Sequence, residues 1–183
     1  KVIKYAREKQ IPFLGICLGM QLLVIEYARN CAGLKEASSE EFDEKSNSSE
    51  DHLIYHLSKW IKDQKVEIRS KVQNKGGTMR LGAYPAKIKK GTMAYSIYKK
   101  AIVSERHRHR FEVNVNYQEA LENNGLTFSG FSQDGSLPEV VELSSHPFFL
   151  GVQFHPELKS KPFEPHPIFS AFIKKALEQT RLV

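Results

Sequence analysis

Apolar positions recur at helical spacing at both ends of the chain, and as short runs or strict alternation between them. Val2, Ile3, Tyr5 and Ala6 mark one side of a helix over residues 1–9, with no N-cap residue before them. Ile11-Pro12-Phe13-Leu14 opens a buried strand over 11–16, and Leu22, Leu23 and Ile25 against Glu26 and Arg29 predict a helix over 20–30. Residues 35–52 are acidic, serine-rich and polar, which predicts a surface loop. Residues 53–61 (Leu53, Ile54, Leu57, Trp60) suit a strand or a short helix, and Val66-Glu67-Ile68-Arg69 alternates like a strand. The glycine-flanked run Gly76-Gly77-Thr78-Met79-Arg80-Leu81-Gly82 leads into another strand. Loop and strand follow over 101–116, a helix over 117–124, and strands near 126–131, 139–143 and 148–154. Ile168, Phe169, Phe172, Ile173, Ala176 and Leu177 give a closing amphipathic helix over 166–179. Helices and strands alternate at both ends around a β-rich middle. The expectation is an α/β layered fold with a mixed sheet.

A chain of 183 residues is long enough for one sizeable core. At 40% hydrophobic and 26% charged residues it has ordinary globular composition, and no apolar run reaches the length of a membrane span. Two cysteines, Cys17 and Cys31, argue against a disulfide scaffold and for a reducing, cytoplasmic setting. The net charge of +6 is spread along the chain, which permits anionic ligands such as nucleotides. A helix followed at once by a nucleophile strand is an unusual opening for an α/β sheet. It sets the expectation that residues upstream are missing.

The candidate chemistry centres on Gly15-Ile16-Cys17-Leu18-Gly19. This is G-x-S-x-G with Cys for Ser, the strand-to-helix elbow that lifts a nucleophile out of a sheet. A thiol at a helix N-terminus meets the positive end of the macrodipole, which favours thiolate. The competing reading is a buried structural cysteine at a β–α turn; Cys31, with no base nearby, reads that way. A nucleophilic thiol needs a base and a group that orients it. His155 in Val152-Gln153-Phe154-His155-Pro156-Glu157 follows an apolar strand, and Glu157 is placed to fix its tautomer.

The run Glu105-Arg106-His107-Arg108-His109-Arg110-Phe111-Glu112-Val113-Asn114 alternates. It predicts Arg106, Arg108 and Arg110 on one face and His107 and His109 on the other. Zinc at His107 and His109 lacks further ligands at metal-site spacing. A nucleic-acid contact is disfavoured because the run is single and bracketed by Glu105 and Glu112.

Together, Gly15-Ile16-Cys17-Leu18-Gly19-Met20-Gln21 and Phe154-His155-Pro156-Glu157 resemble a class I glutamine amidotransferase domain. The Glu105–Asn114 and Gly76–Gly82 stretches narrow the resemblance to the CTP synthase family, over residues 1 to about 175. The resemblance implies the class I amidotransferase fold: α/β, with a mixed, mostly parallel central sheet, incomplete at its N-terminus and without a synthetase domain. It implies that Cys17 attacks the glutamine side-chain amide, that His155 transfers protons and that Glu157 orients it. Leu18 would give one oxyanion N–H; the family's second donor comes from a glycine-rich loop upstream of Lys1. Glu41 and Arg110 would hold the ammonium and carboxylate of glutamine, with Leu18, Gly19, Met20 and Gln21 lining the pocket. Arg69 matches a regulatory-lid arginine.

The resemblance further implies ammonia passing through a tunnel to a synthetase domain that aminates UTP with ATP and Mg, GTP activation, and a homotetramer. It implies no cofactor in this domain, no nucleic acid and no membrane. The polar residues 43–65 fit the family poorly. Two alternatives remain open: the glutaminase of another amidotransferase, such as that of GMP synthesis, and a regulatory or assembly module with an idle triad.

Overall fold

The computed structural model describes residues 1–42, 52–56, 59–62, 65–68 and 79–180. Arg69, Gly76, Gly77, Thr78 and the polar stretch 43–51 lie outside the described residues.

The elements run α1 (Val2–Glu8), β1 (Phe13–Ile16), α2 (Leu18–Asn30), β2 (Ile54–His56), β3 (Lys59–Lys62), β4 (Lys65–Ile68), β5 (Arg80–Ile88), α3 (Met93–Tyr98), β6 (Ile102–His109), β7 (Phe111–Val113), α4 (Gln118–Glu122), β8 (Thr127–Ser132), β9 (Pro138–Glu142), β10 (Phe149–Val152) and α5 (Pro167–Thr180). Six strands form the main sheet in the order β1-β10-β9-β8-β5-β6. β2 pairs with β7 and β3 with β4 in two small ribbons.

The sheet is mixed, but it is not mostly parallel as expected. Only β1 and β10 run parallel; β10–β9, β9–β8, β8–β5 and β5–β6 are antiparallel. The connections explain the difference. A parallel pair needs a crossover of about a dozen residues or more. The links 133–137 and 143–148 are far shorter than that, so β8, β9 and β10 must reverse direction at each step.

Both faces of the central strands are covered. Phe149 and Val141 face a core built with Met20, Leu23, Val24, Tyr27 and Phe128. Their neighbours Leu150 and Val140 face a second core with Ala86, Ile88, Ala94, Phe148, Phe154 and Ile168. Burial on both sides makes β10 apolar without alternation. Edge strand β6 alternates strictly, with Val103, Glu105, His107 and His109 inside and Arg106 and Arg108 outside.

The sequence pattern gives no sign of helix α3. Six residues are too few to show a helical period, and its N-terminus is completed from elsewhere in the fold. The Glu142 carboxylate on β9 accepts from the backbone N–H of Met93 and Ala94 at 2.6 and 3.0 Å, and the Thr92 hydroxyl accepts from Tyr95 N–H. Among the described residues no helix is long and apolar enough to cross a membrane.

The two glycines flanking Cys17 have unequal roles. A Cβ on Gly15 would sit 2.6 Å from the Gly19 carbonyl oxygen and 2.7 Å from its carbon, whereas a Cβ on Gly19 would meet nothing within 4 Å. Gly15→Ala is therefore expected to lose about 1–3 kcal/mol or more in urea unfolding by forcing α2 off β1. Gly19→Ala stays within about 1 kcal/mol of the parent. Equal losses would show that the close approach at Gly15 does not set the elbow.

Candidate active site

β1 delivers Cys17 to the N-terminus of α2, where it takes φ 52° and ψ −106°, a backbone that non-glycine residues rarely adopt. The strain is held from both sides. The Cys17 N–H donates to Val152 O at 2.7 Å, and the Cys17 carbonyl accepts from Met20 and Gln21 N–H. Because β1 and β10 are parallel and in register from Phe13↔Phe149 to Ile16↔Val152, the residues after both strands emerge at one end of the sheet. Cys17 follows β1; Gln153, Phe154 and His155 follow β10.

His155 Nδ1 lies 2.6 Å from Glu157 Oε1. The carboxylate accepts, so Nδ1 carries the hydrogen and Nε2 is left with its lone pair. That Nε2 is buried and has no hydrogen-bond partner among the described residues. The segment is fastened to β6: His155 N–H donates to Arg106 O at 2.8 Å, and the Lys159 ammonium donates to Ser104 O at 2.5 Å and pairs with Glu105 at 3.3 Å.

The Cys17 thiol is not the thiolate that its helix terminus suggested. Burial pushes its pKa up, to about 11; the Leu18 N–H works the other way, and the carboxylates of Glu112, Glu157 and Glu41 raise it further. Desolvation and nearby negative charge outweigh the dipole, so the resting group is a neutral thiol.

Glu40 and Glu41 separate cleanly. Glu40 Oε2 accepts from the His56 backbone N–H at 2.7 Å, which commits it to β2. Glu41 is exposed and close enough to Cys17 for its charge to act on the thiol. Ser39 bridges to Ile54, and Ile54 pairs with Val113, so β2 ties the Glu41 segment to the β6–β7 junction. Half-buried Arg110 stands at that junction.

The four residues after Cys17 differ from a uniform pocket wall. Leu18 is exposed and Gly19 faces open space. Met20 is fully buried in the core, so its side chain is no part of a pocket. Gln21 is buried as well, with its Nε2 donating to Phe111 O at 2.9 Å and to Gln153 Oε1 at 3.2 Å.

Beneath these residues sits an ionic cluster that the sequence did not reveal. Arg80 donates to Glu112 at 3.2 Å and to Glu139 at 2.6 Å, all three nearly or wholly buried. Burial opposes the Arg80 charge, and Glu139 and Glu112 outweigh it, raising its pKa. One guanidinium cannot balance two buried carboxylates. Burial pushes Glu112 up to about 8, Arg80 pulls it down and Glu139 raises it again, so the cluster holds an extra proton at neutral pH.

His107 and His109, the zinc candidates, bond to each other at 2.8 Å, and His109 Nδ1 donates to Phe111 O at 3.1 Å. Burial holds both below the ordinary histidine range, His109 at about 3, so both are neutral. No group of three metal-ligating side chains occurs among the described residues. A cavity of about 690 Å³ between β6 and residues 158–167 is lined by Ser104, Glu105 and Lys159 but not by Cys17, His155, Glu157, Glu41 or Arg110.

Residues 1–175 match the family model for class-I glutamine amidotransferases. A CTP synthase of Cereibacter sphaeroides is 57% identical over 184 residues, covering 100% of this chain and 34% of that protein. A CTP synthase of Zymomonas mobilis is 57% identical over 181 residues, covering 99% of this chain and 32% of that protein. The chain thus spans about a third of the length of these curated relatives. The acivicin-bound glutaminase domain of the Trypanosoma brucei CTP synthase superposes with a TM-score of 0.78 at 39% identity, covering 96% of this chain and 64% of that one.

The raised Glu112 pKa has a definite sign in stability. Between the ordinary 4.5 and about 8 the folded chain binds one proton more than the unfolded chain, so this contribution declines as pH rises through that window. Glu112→Gln is expected to flatten the fall of urea-unfolding stability across it. A slope equal to the parent's would mean that Glu112 is ionised in the fold.

Proposed function

The chain belongs to the class I glutamine amidotransferases, and from that membership we propose that residues 1–183 are the glutaminase unit of a CTP synthase. The observation that carries the reading is the parallel β1–β10 pair, which brings an elbow thiol and a histidine–carboxylate pair to one sheet end. The identity to CTP synthases along the whole chain favours this over the glutaminase of GMP synthesis.

In the proposed reaction, His155 Nε2 takes the proton of the neutral Cys17 thiol as Sγ attacks the carboxamide carbon of glutamine. The Leu18 N–H stabilises the oxyanion. His155 returns the proton to the leaving nitrogen, ammonia departs, and a γ-glutamyl thioester remains. Water, deprotonated by His155, then attacks the thioester; glutamate leaves and the thiol is restored. Glu157 holds the tautomer that keeps Nε2 open. Glu41 receives the substrate ammonium and Arg110 its carboxylate. The ammonia passes to a synthetase domain of the longer protein, where ATP, Mg and UTP bind and UTP becomes CTP. GTP activation, an Arg69 lid and a tetrameric assembly complete the reading.

In the full-length enzyme, Cys17→Ser is expected to abolish glutamine-dependent CTP formation while ammonia-dependent formation persists. Loss of both together would make Cys17 structural. Glu41→Gln is expected to raise the KM for glutamine about 10- to 100-fold, the worth of a charge-assisted contact. Glu40→Gln, whose partner is the His56 N–H, leaves that KM within about twofold. The reverse ranking would assign the ammonium to Glu40.

A further inference from the structure

Gln153 has no part in the reaction written above, yet its side chain is fully buried beside the sulfur. Its Nε2 lies 3.8 Å from Cys17 Sγ, and its Oε1 accepts from Gln21 Nε2 at 3.2 Å. The direction of these amides is fixed by their partners. The Phe111 carbonyl can only accept, so Gln21 must present its NH₂ group there, at 2.9 Å. The second hydrogen of that NH₂ goes to Gln153, which must therefore present its oxygen. The NH₂ of Gln153 is left aimed at the sulfur.

The far end of the chain of bonds lies beside the buried cluster, with His109 Nδ1 3.5 Å from Glu112 Oε1 and His107 Nε2 3.5 Å from Glu139 Oε2. Neutral His109 also donates to Phe111 O, at 3.1 Å, and its other nitrogen takes the hydrogen of His107 Nδ1 at 2.8 Å. Neither Gln21 nor Gln153 can flip without leaving a buried polar atom unpaired, which costs more than the bond itself contributes.

We propose that Gln153 is a catalytic hydrogen-bond donor to the Cys17 sulfur, and that Gln21 and the Phe111 carbonyl are positioning groups that keep its NH₂ pointed there. This rests on the reading of Cys17 as the nucleophile. An N–H contact of 3.8 Å to a neutral thiol is weak. It strengthens as negative charge gathers on sulfur, because a donor to an ionised acceptor is shorter and roughly twice as strong. The effect therefore falls on the charged sulfur and not on the resting thiol.

Sulfur carries that charge twice in each turnover. It does so when His155 removes the thiol proton, and again when the thioester's tetrahedral adduct expels the sulfur. Gln153 faces the sulfur on both occasions. The donor also offsets the carboxylates of Glu157 and Glu41, and that of Glu112 once it ionises near pH 8, whose charges act against the thiolate. Gln21, which the resemblance places in the glutamine pocket, has both amide hydrogens committed inside the protein. It acts on the sulfur through Gln153 instead of gripping glutamine with its NH₂.

The test is the pH dependence of iodoacetamide alkylation in the full-length enzyme without glutamine, read by mass spectrometry at the peptide containing Cys17. Gln153→Met, which keeps the length and removes the donor, is expected to raise the midpoint by about one pH unit. Glutamine-dependent kcat/KM should fall about tenfold or more with it. Gln153→Glu keeps the shape and sets a carboxylate against the sulfur, and is expected to raise the midpoint further; it supplies the measurement if the Met variant does not fold. An unchanged midpoint in a folded variant overturns the proposal, even where turnover falls through lost packing. A Cys17 that resists alkylation in the parent at every pH overturns instead the reading of Cys17 as nucleophile.

Discussion

The parallel pairing of β1 with β10 is the constraint on which the rest of the site depends. Two strands that run the same way end at the same edge, so whatever follows each of them meets there. Here one strand is followed by a thiol and the other by Gln153 and His155. The pairing is extended by one bond, from Cys17 N–H to Val152 O, which lies on the strained residue itself. Gly15 allows the first turn of α2 to lie against β1, and Gly151 lets Met20 pack across β10. These contacts hold Cys17 in a backbone it would not adopt alone.

Around that pair the electrostatics follow from burial more than from the helix dipole. Burial holds the thiol proton most strongly, and nearby carboxylates add to it. Arg80 is already committed to Glu112 and Glu139. Removing charges from water is costly, and a lone guanidinium between two carboxylates is neutralised by retaining a proton. The result is a site in which the nucleophile rests uncharged. In the proposed reaction its activation depends on proton transfer to His155 and on neutral donors, the Leu18 N–H and the Gln153 amide. His109, packed 3.5 Å from Glu112, gives the Phe111 carbonyl a second fixed donor beside Gln21, so the buried ion group borders the hydrogen bonds that lead to the sulfur.

The small β2–β7 ribbon has a comparable role on the substrate side. It joins two segments far apart in sequence, the turn bearing Glu41 and the junction bearing Arg110, which the proposed binding of a zwitterionic amino acid requires to be close. Glu40 serves that ribbon through the His56 N–H, while the Glu41 charge acts on the thiol.

Local chemistry was legible wherever a residue's role depended on its neighbours in the chain. The Gly15–Gly19 spacing announced the elbow, and the alternation through Glu105–His109 announced which side chains of β6 turn inward. The spacing of His155 and Glu157 announced a pair that the fold closes to 2.6 Å. Long amphipathic elements were legible for the same reason. What the chain could not display were partnerships between distant segments. The mostly parallel sheet that the resemblance implies is not the one observed, and the sequence pattern cannot correct it, because apolar runs look alike whether the neighbour is parallel or antiparallel and only the short links decide. Helix α3 depends on Glu142, some fifty positions away. Met20 and Gln21 follow the elbow and looked like pocket residues, yet the helix turn directs them to the core and to Phe111. Gln153 stood in plain view beside the histidine, but its donor end acquires a direction only from Gln21 and Phe111. Sequence determined which groups are present and how neighbours are spaced. Tertiary structure decided their charge and orientation, because both depend on what excludes water and what accepts each hydrogen.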